Sequence, residues 1–148
     1  ICYYEEFEKE KIIYPNMTKY LPFLFDSNNF YTNQKCFIVT GKCLRYLTGY
    51  FNSRISYKWI KENCPELQGG TRELSKIFFE GIPIPPITPE NQTTVHQIER
   101  YVDQILSTKK ADPKTDTSDL EKLIDQLVYK LYNLTEEEIA IIEGSVNG

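Results

Sequence analysis

A nucleophilic or metal centre in this 148-residue chain would have to be drawn from Cys2, Cys36, Cys43, Cys64 and the single histidine, His96. Structural zinc needs about four soft ligands at short spacing, and no pair of these cysteines forms a Cys-x-x-Cys step. A thiol nucleophile needs a base beside it, yet His96 falls in a helical pattern with no marked partner for Cys36 or Cys64. His96 is expected on a helix surface. A metal-dependent nuclease would need carboxylates and a lysine gathered around a divalent cation, and no Pro-Asp element with a downstream acid-x-Lys occurs. Gripping an exocyclic amine for methylation takes an Asn or Asp before Pro-Pro and an aromatic residue after it. Here Pro85-Pro86 lies between Ile84 and Ile87. No catalytic centre, no metal and no cofactor are expected in this chain, which leaves binding.

The net charge of −4 conceals an asymmetry. From Lys11 to Lys76 there are ten Lys or Arg (Lys11, Lys19, Lys35, Lys42, Arg45, Arg54, Lys58, Lys61, Arg72, Lys76) against four acids, Asp26, Glu62, Glu66 and Glu73. From Gly81 onward six basic residues face twelve acids. Basic residues interleaved with Tyr14, Tyr20, Tyr31, Tyr46, Tyr50 and Tyr57 suit a phosphate-facing surface, as well as an ordinary solvated face. No apolar run approaches the ~18 residues of a membrane span. The chain opens at Ile1 without a signal sequence and reads as an excised piece. Free thiols and a cytoplasmic location are expected. The triplets Asn16-Met17-Thr18, Asn91-Gln92-Thr93 and Asn133-Leu134-Thr135 match a glycosylation sequon but carry little without such a signal.

Several elements would position these residues. Lys11-Ile12-Ile13-Tyr14-Pro15 reads as a β-strand, Phe23-Leu24-Phe25 and Phe30-Tyr31-Thr32 as two more around a turn, and Lys35 to Thr40 as a fourth. From Cys43 the period changes: Leu44, Leu47, Phe51, Ile55 and Trp59 form the stripe of one amphipathic helix ending near Asn63-Cys64-Pro65. Gln68-Gly69-Gly70-Thr71 reads as a loop. The proline run Gly81 to Ile87 must be extended and is expected to mark a subdomain boundary. Val95, Ile98, Val102, Ile105 and Leu106 then define one helix, and Leu120, Leu123, Ile124, Leu127, Val128 and Leu131 a second. Capping boxes are expected at Ser118 with Glu121 and at Thr135 with Glu138. The fold class is α+β: a small, mostly antiparallel sheet with an amphipathic helix, followed by a helical carboxyl-terminal part. Residues 1–10 would end a linker or helix from a missing upstream domain, 11–87 would form the α/β recognition part, and 88–148 the helical part of the same domain.

Taken in order, Lys11-Ile12-Ile13-Tyr14-Pro15, Leu47-Thr48-Gly49-Tyr50-Phe51-Asn52-Ser53, Ile82-Pro83-Ile84-Pro85 and the stretch from Ile124 to Glu138 (IDQLVYKLYNLTEEE) resemble the TaqI-like C-terminal specificity domain of adenine-N6 DNA methyltransferases, including fused type IIG restriction enzymes. The resemblance implies that this region recognises double-stranded DNA while an upstream domain of the same chain binds S-adenosylmethionine and methylates adenine in a base flipped out of the helix. The isolated region would be non-catalytic. The Ile-Pro-Ile-Pro piece is also similar to specificity subunits of type I restriction systems, but the helices lack the sustained heptads of their spacers. A protein-interaction module, with an apolar rather than basic surface, is a further alternative.

Under this resemblance, phosphate contacts would come from Lys19, Lys35, Lys42, Arg54 and Lys58. Base edges would be read by side chains with donors and acceptors on loops: Asn16, Thr18, Asn33, Gln68, Thr71 and Arg72. The segments Pro15 to Tyr20 and Gln68 to Arg72 are the favoured positions, since loops on a rigid scaffold can vary without unfolding it.

Overall fold

The computed structural model describes residues 9–18, 21–27, 36–74 and 80–147, with backbone alone for 145–147. Strand β1 (Lys11–Pro15) runs between β3 (Leu24–Asp26) and β4 (Cys36–Val39), antiparallel to both. Ile12 stands opposite Phe25 on one side and Val39 on the other, and Tyr14 opposite Phe37. The pleat turns Ile12 and Tyr14 inward, where both are buried. Pro15, which has no N–H to donate, closes the strand. Lys11 is buried as well, its ammonium 2.6 Å from the buried carboxylate of Asp26 directly opposite on β3. The expected strand at Phe30-Tyr31-Thr32 lies outside the described residues.

The single amphipathic helix expected from Leu44 to Asn63 is two helices, α1 (Leu44–Phe51) and α2 (Arg54–Asn63). Polar side chains between them compete with the backbone ladder. The Asn52 amide donates to the carbonyls of Phe23 (3.0 Å) and Thr48 (3.1 Å), and the Ser53 hydroxyl donates to the Tyr50 carbonyl. Ser53 is extended and caps α2, accepting from the Ser56 N–H. The break re-aims the stripe without dispersing it, so Leu44, Phe51, Ile55 and Trp59 meet the same core.

The proline run is extended, as expected. It straps α1: the Tyr46 hydroxyl donates to the Pro85 carbonyl (2.8 Å), and those of Tyr50 and Tyr132 to the Pro83 carbonyl. These bonds anchor a segment whose prolines cannot join a sheet. One buried cluster continues past the run, from Ile12 to Val128.

Three helices follow: α3 (Gln92–Ala111), α4 (Ser118–Leu131) and α5 (Glu136–Asn147). Val95, Ile98 and Val102 are the buried residues of α3, three or four positions apart as its periodicity requires. At Thr135 the expected capping box forms in both directions, with the Thr135 N–H donating to Glu138 at 2.7 Å and the Glu138 N–H to the Thr135 hydroxyl at 3.2 Å. The one expected at Ser118 does not form. Asp116 takes the Ser118 N–H at 2.9 Å, and the cap falls one residue earlier, at Thr117. The architecture is α+β with a helical carboxyl-terminal part, and no helix among the described residues is long and apolar enough to cross a membrane.

Candidate functional site

Beyond Pro15 the chain leaves the first sheet and builds a second one with residues more than fifty positions away. Strand β2 (Met17–Thr18) pairs antiparallel with β5 (Arg72–Glu73), Met17 opposite Glu73 and Thr18 opposite Arg72. On its other side β5 folds back on Pro65 to Leu67: the Glu73 N–H donates to the Pro65 carbonyl, the Leu67 N–H to the Thr71 carbonyl, and Glu66 faces Arg72. The result is a narrow three-stranded ribbon. A single 3₁₀ turn, Gln68–Gly70, makes its tip. Gly69 (φ 79°) and Gly70 (φ 81°) are both left-handed there, a conformation open to glycine at little steric cost. Residues 66–70 are all exposed.

This ribbon joins the two segments favoured by the sequence, bringing Asn16, Thr18, Gln68, Thr71 and Arg72 together; Leu74 donates its N–H to the Asn16 carbonyl at 2.7 Å. The pleat then divides them. Paired residues share a face and neighbouring pairs alternate. Asn16, Thr18, Arg72, Glu66 and the buried Leu74 and Cys64 therefore lie on the face that packs against the body. Arg72 is held there by Glu66 (3.3 Å) and the Cys64 carbonyl (3.4 Å). Met17, Leu67, Thr71 and Glu73 lie on the opposite, outward face. Met17 is 57% exposed and Leu67 37%. Sequence reasoning missed this pair, because neither residue belongs to a periodic stripe and the pairing that aligns them is long-range.

The remaining candidates are dispersed. Lys42 is exposed after β4, at the end of β1 away from the ribbon. Arg54 faces inward between helices, its guanidinium 3.5 Å from Asp125 and 3.9 Å from Glu143, while its backbone N–H donates to Asp125 at 2.9 Å. Lys58 pairs with Glu62 one turn on. Lys19, Asn33 and Lys35 lie outside the described residues. The charge asymmetry read from the sequence is thus partly internal. Lys11 binds Asp26, Arg45 binds Asp103 at 2.6 Å, Arg54 binds Asp125 and Arg72 binds Glu66. Two of those acids come from the acidic half, so attraction between the halves consumes part of the surplus.

Asp125 explains why an aspartate sits in the apolar run of α4: it caps the first turn of α2 and faces Arg54. Burial pushes its carboxyl up to about 6, against the lowering effect of the Arg54 N–H and guanidinium. Burial pushes the Cys64 thiol up, away from the reactive thiolate. Cys36, Cys43 and Cys64 are free thiols, His96 is exposed on α3, and no group of three metal-ligating side chains occurs among the described residues. A cleft of about 360 Å³ between β3, α1, α3 and α4 is lined mainly by apolar residues, including Phe23, Phe25, Val102 and Ile105.

The family model described as the TaqI-like C-terminal specificity domain matches residues 2–84, a span that contains the first sheet, both helices that follow it and the whole ribbon. No curated protein matches the chain.

Proposed function

The chain belongs to the TaqI-like C-terminal specificity domain family, and from that premise we propose that it selects the double-stranded DNA site of an adenine-N6 DNA methyltransferase or a fused type IIG restriction-modification enzyme. The chain itself does no chemistry. S-adenosylmethionine and the adenine pocket belong to a methyltransferase domain upstream in the parent protein, and any cleavage to a separate endonuclease part. The observation that carries the reading is the ribbon, in which two segments with hydrogen-bonding side chains meet behind an exposed tip. The major groove admits a two-stranded β-ribbon and displays a distinct donor and acceptor pattern for each base pair.

Gln68 at the tip and Thr71 on the outward face are the foremost base readers. Asn16 and Thr18, on the other face of the ribbon, are secondary readers, and Arg72 is tied to Glu66. Asn33 remains a reader from its own segment. Lys19, Lys35, Lys42 and Lys58 supply phosphate contacts that fix register without reading sequence. Arg54 is left out of that set because Asp125 and Glu143 engage it.

The test is to pass a random-sequence duplex library over the full-length protein and sequence what it retains at low and at physiological salt. A short enriched motif, with affinity falling as salt rises, is expected. A retained pool no different from the input would overturn the proposal.

A further inference from the structure

We propose that Met17 and Leu67, on the outward face of the ribbon and on either side of β5, each offer an apolar side chain that reads the 5-methyl group of a thymine in the major groove. This rests on the DNA-recognition reading above and names one feature of the site it selects. The two residues come from different segments, fifty positions apart, and only the pairing of β2 with β5 and of β5 with the Pro65 to Leu67 return puts them on one face. Met17 stands opposite Glu73, and Leu67 opposite Thr71, so the apolar pair brackets the polar side chains of β5. Both remain well exposed, at 57% and 37%, although the face behind them supplies Leu74 and Cys64 to the interior.

Large exposed apolar side chains beside polar ones on a projection are costly in water and become favourable when a partner covers them. In a major groove the apolar feature that a base pair presents is the thymine methyl, and contact with it separates thymine from cytosine and from uracil. The other residues of this face suit the same surroundings. The Thr71 hydroxyl both donates and accepts, and the Glu73 carboxylate accepts from an exocyclic amine such as cytosine N4. The ribbon thus carries apolar and polar reading elements side by side.

The experiment uses the full-length protein and the motif it retains from the random library. Duplexes carrying that motif are then made with uracil in place of thymine, one position at a time. At one or two positions, loss of the methyl is expected to weaken wild-type binding about fourfold, the effect of withholding one methyl-sized group from burial. The Met17→Ser and Leu67→Ser variants are expected to bind the thymine duplex as weakly as the wild type binds the uracil duplex, and to ignore the exchange. Wild-type binding indifferent to uracil at every position, or a motif without thymine, would overturn the inference while leaving DNA recognition standing. Serine variants that bind as many-fold more weakly than wild type on the uracil duplex as on the thymine duplex would also overturn it, since the side chains would then pack against something other than a methyl. Failure to enrich any motif would remove the underlying reading instead. The wild-type arm needs no variant to fold.

Discussion

Around Gly49 the body of the protein is closed: a Cβ added there would lie 2.7 Å from Cγ2 of Ile98 and 3.1 Å from Cγ2 of Val102, so α1 and α3 touch through the missing side chain. Around Gly69 and Gly70 the ribbon is open, and an added Cβ would meet nothing within 4 Å. The first glycine serves packing and the other two serve a left-handed turn. The contrast extends beyond glycine. In the body, several buried polar groups are tied down: tyrosine hydroxyls hold the Pro83 and Pro85 carbonyls, Asp125 caps α2, and Lys11 meets Asp26. In the ribbon, Met17, Leu67 and Gln68 face outward. A specificity domain gains from this division, because the reading edge can change residue by residue while the scaffold stays fixed.

If the division is real, substitutions in the body should cost stability and those in the ribbon should not. The largest effect is expected for Lys11→Met, which leaves the buried Asp26 carboxylate without its ammonium and should lower unfolding free energy by about 3–5 kcal/mol in urea. Next comes Gly49→Val, whose methyl groups have no room against Ile98 and Val102; overpacking there should cost ~1–3 kcal/mol, read as an earlier thermal midpoint. Tyr50→Phe removes a hydroxyl that binds the Pro83 carbonyl and lies 2.9 Å from the Tyr132 hydroxyl, at about 1 kcal/mol, since Tyr132 still donates to the same carbonyl.

Asp125 gives the body a pH signature. Its folded pKa, about 6, lies above the ordinary carboxylate value, so the folded state holds the proton more tightly than the unfolded one. The ionised form is the destabilising one. Stability should therefore rise as pH falls from above 6 toward 4, and an Asp125→Asn variant should lose that part of the slope. An identical pH dependence in the two proteins would show that Asp125 is not the group responsible. In the ribbon, by contrast, Gln68→Ala should leave the unfolding free energy in urea within ~0.5 kcal/mol of wild type.

Much of the body was legible in the sequence because its signals are local. The β-branched run at Ile12-Ile13, the spacing of Val95, Ile98 and Val102, and the box at Thr135 and Glu138 each act within a few residues. The break at Asn52-Ser53 escaped the same reading, since the apolar spacing crosses it undisturbed and only polar bonds to Phe23, Thr48 and Tyr50 reveal it. The strap at Pro83 to Pro85 was not legible because its partners, Tyr46, Tyr50 and Tyr132, lie far off in sequence. For the candidate site, the sequence pointed to both segments that the ribbon joins. What it could not supply was the long-range pairing that turns Arg72 toward the body and Met17 outward, or the partners that draw Arg54 inside.

The most direct measurement compares the motif enriched from a random duplex library by the full-length wild-type protein with that enriched by a Gln68→Ala, Thr71→Ala double variant. The thermal midpoint of each protein is recorded alongside. The ribbon account predicts equal midpoints and a motif that becomes degenerate at one or two adjacent positions, the rest unchanged. An unchanged motif, with the variant as stable as the wild type, would contradict it and move base reading to another part of the molecule.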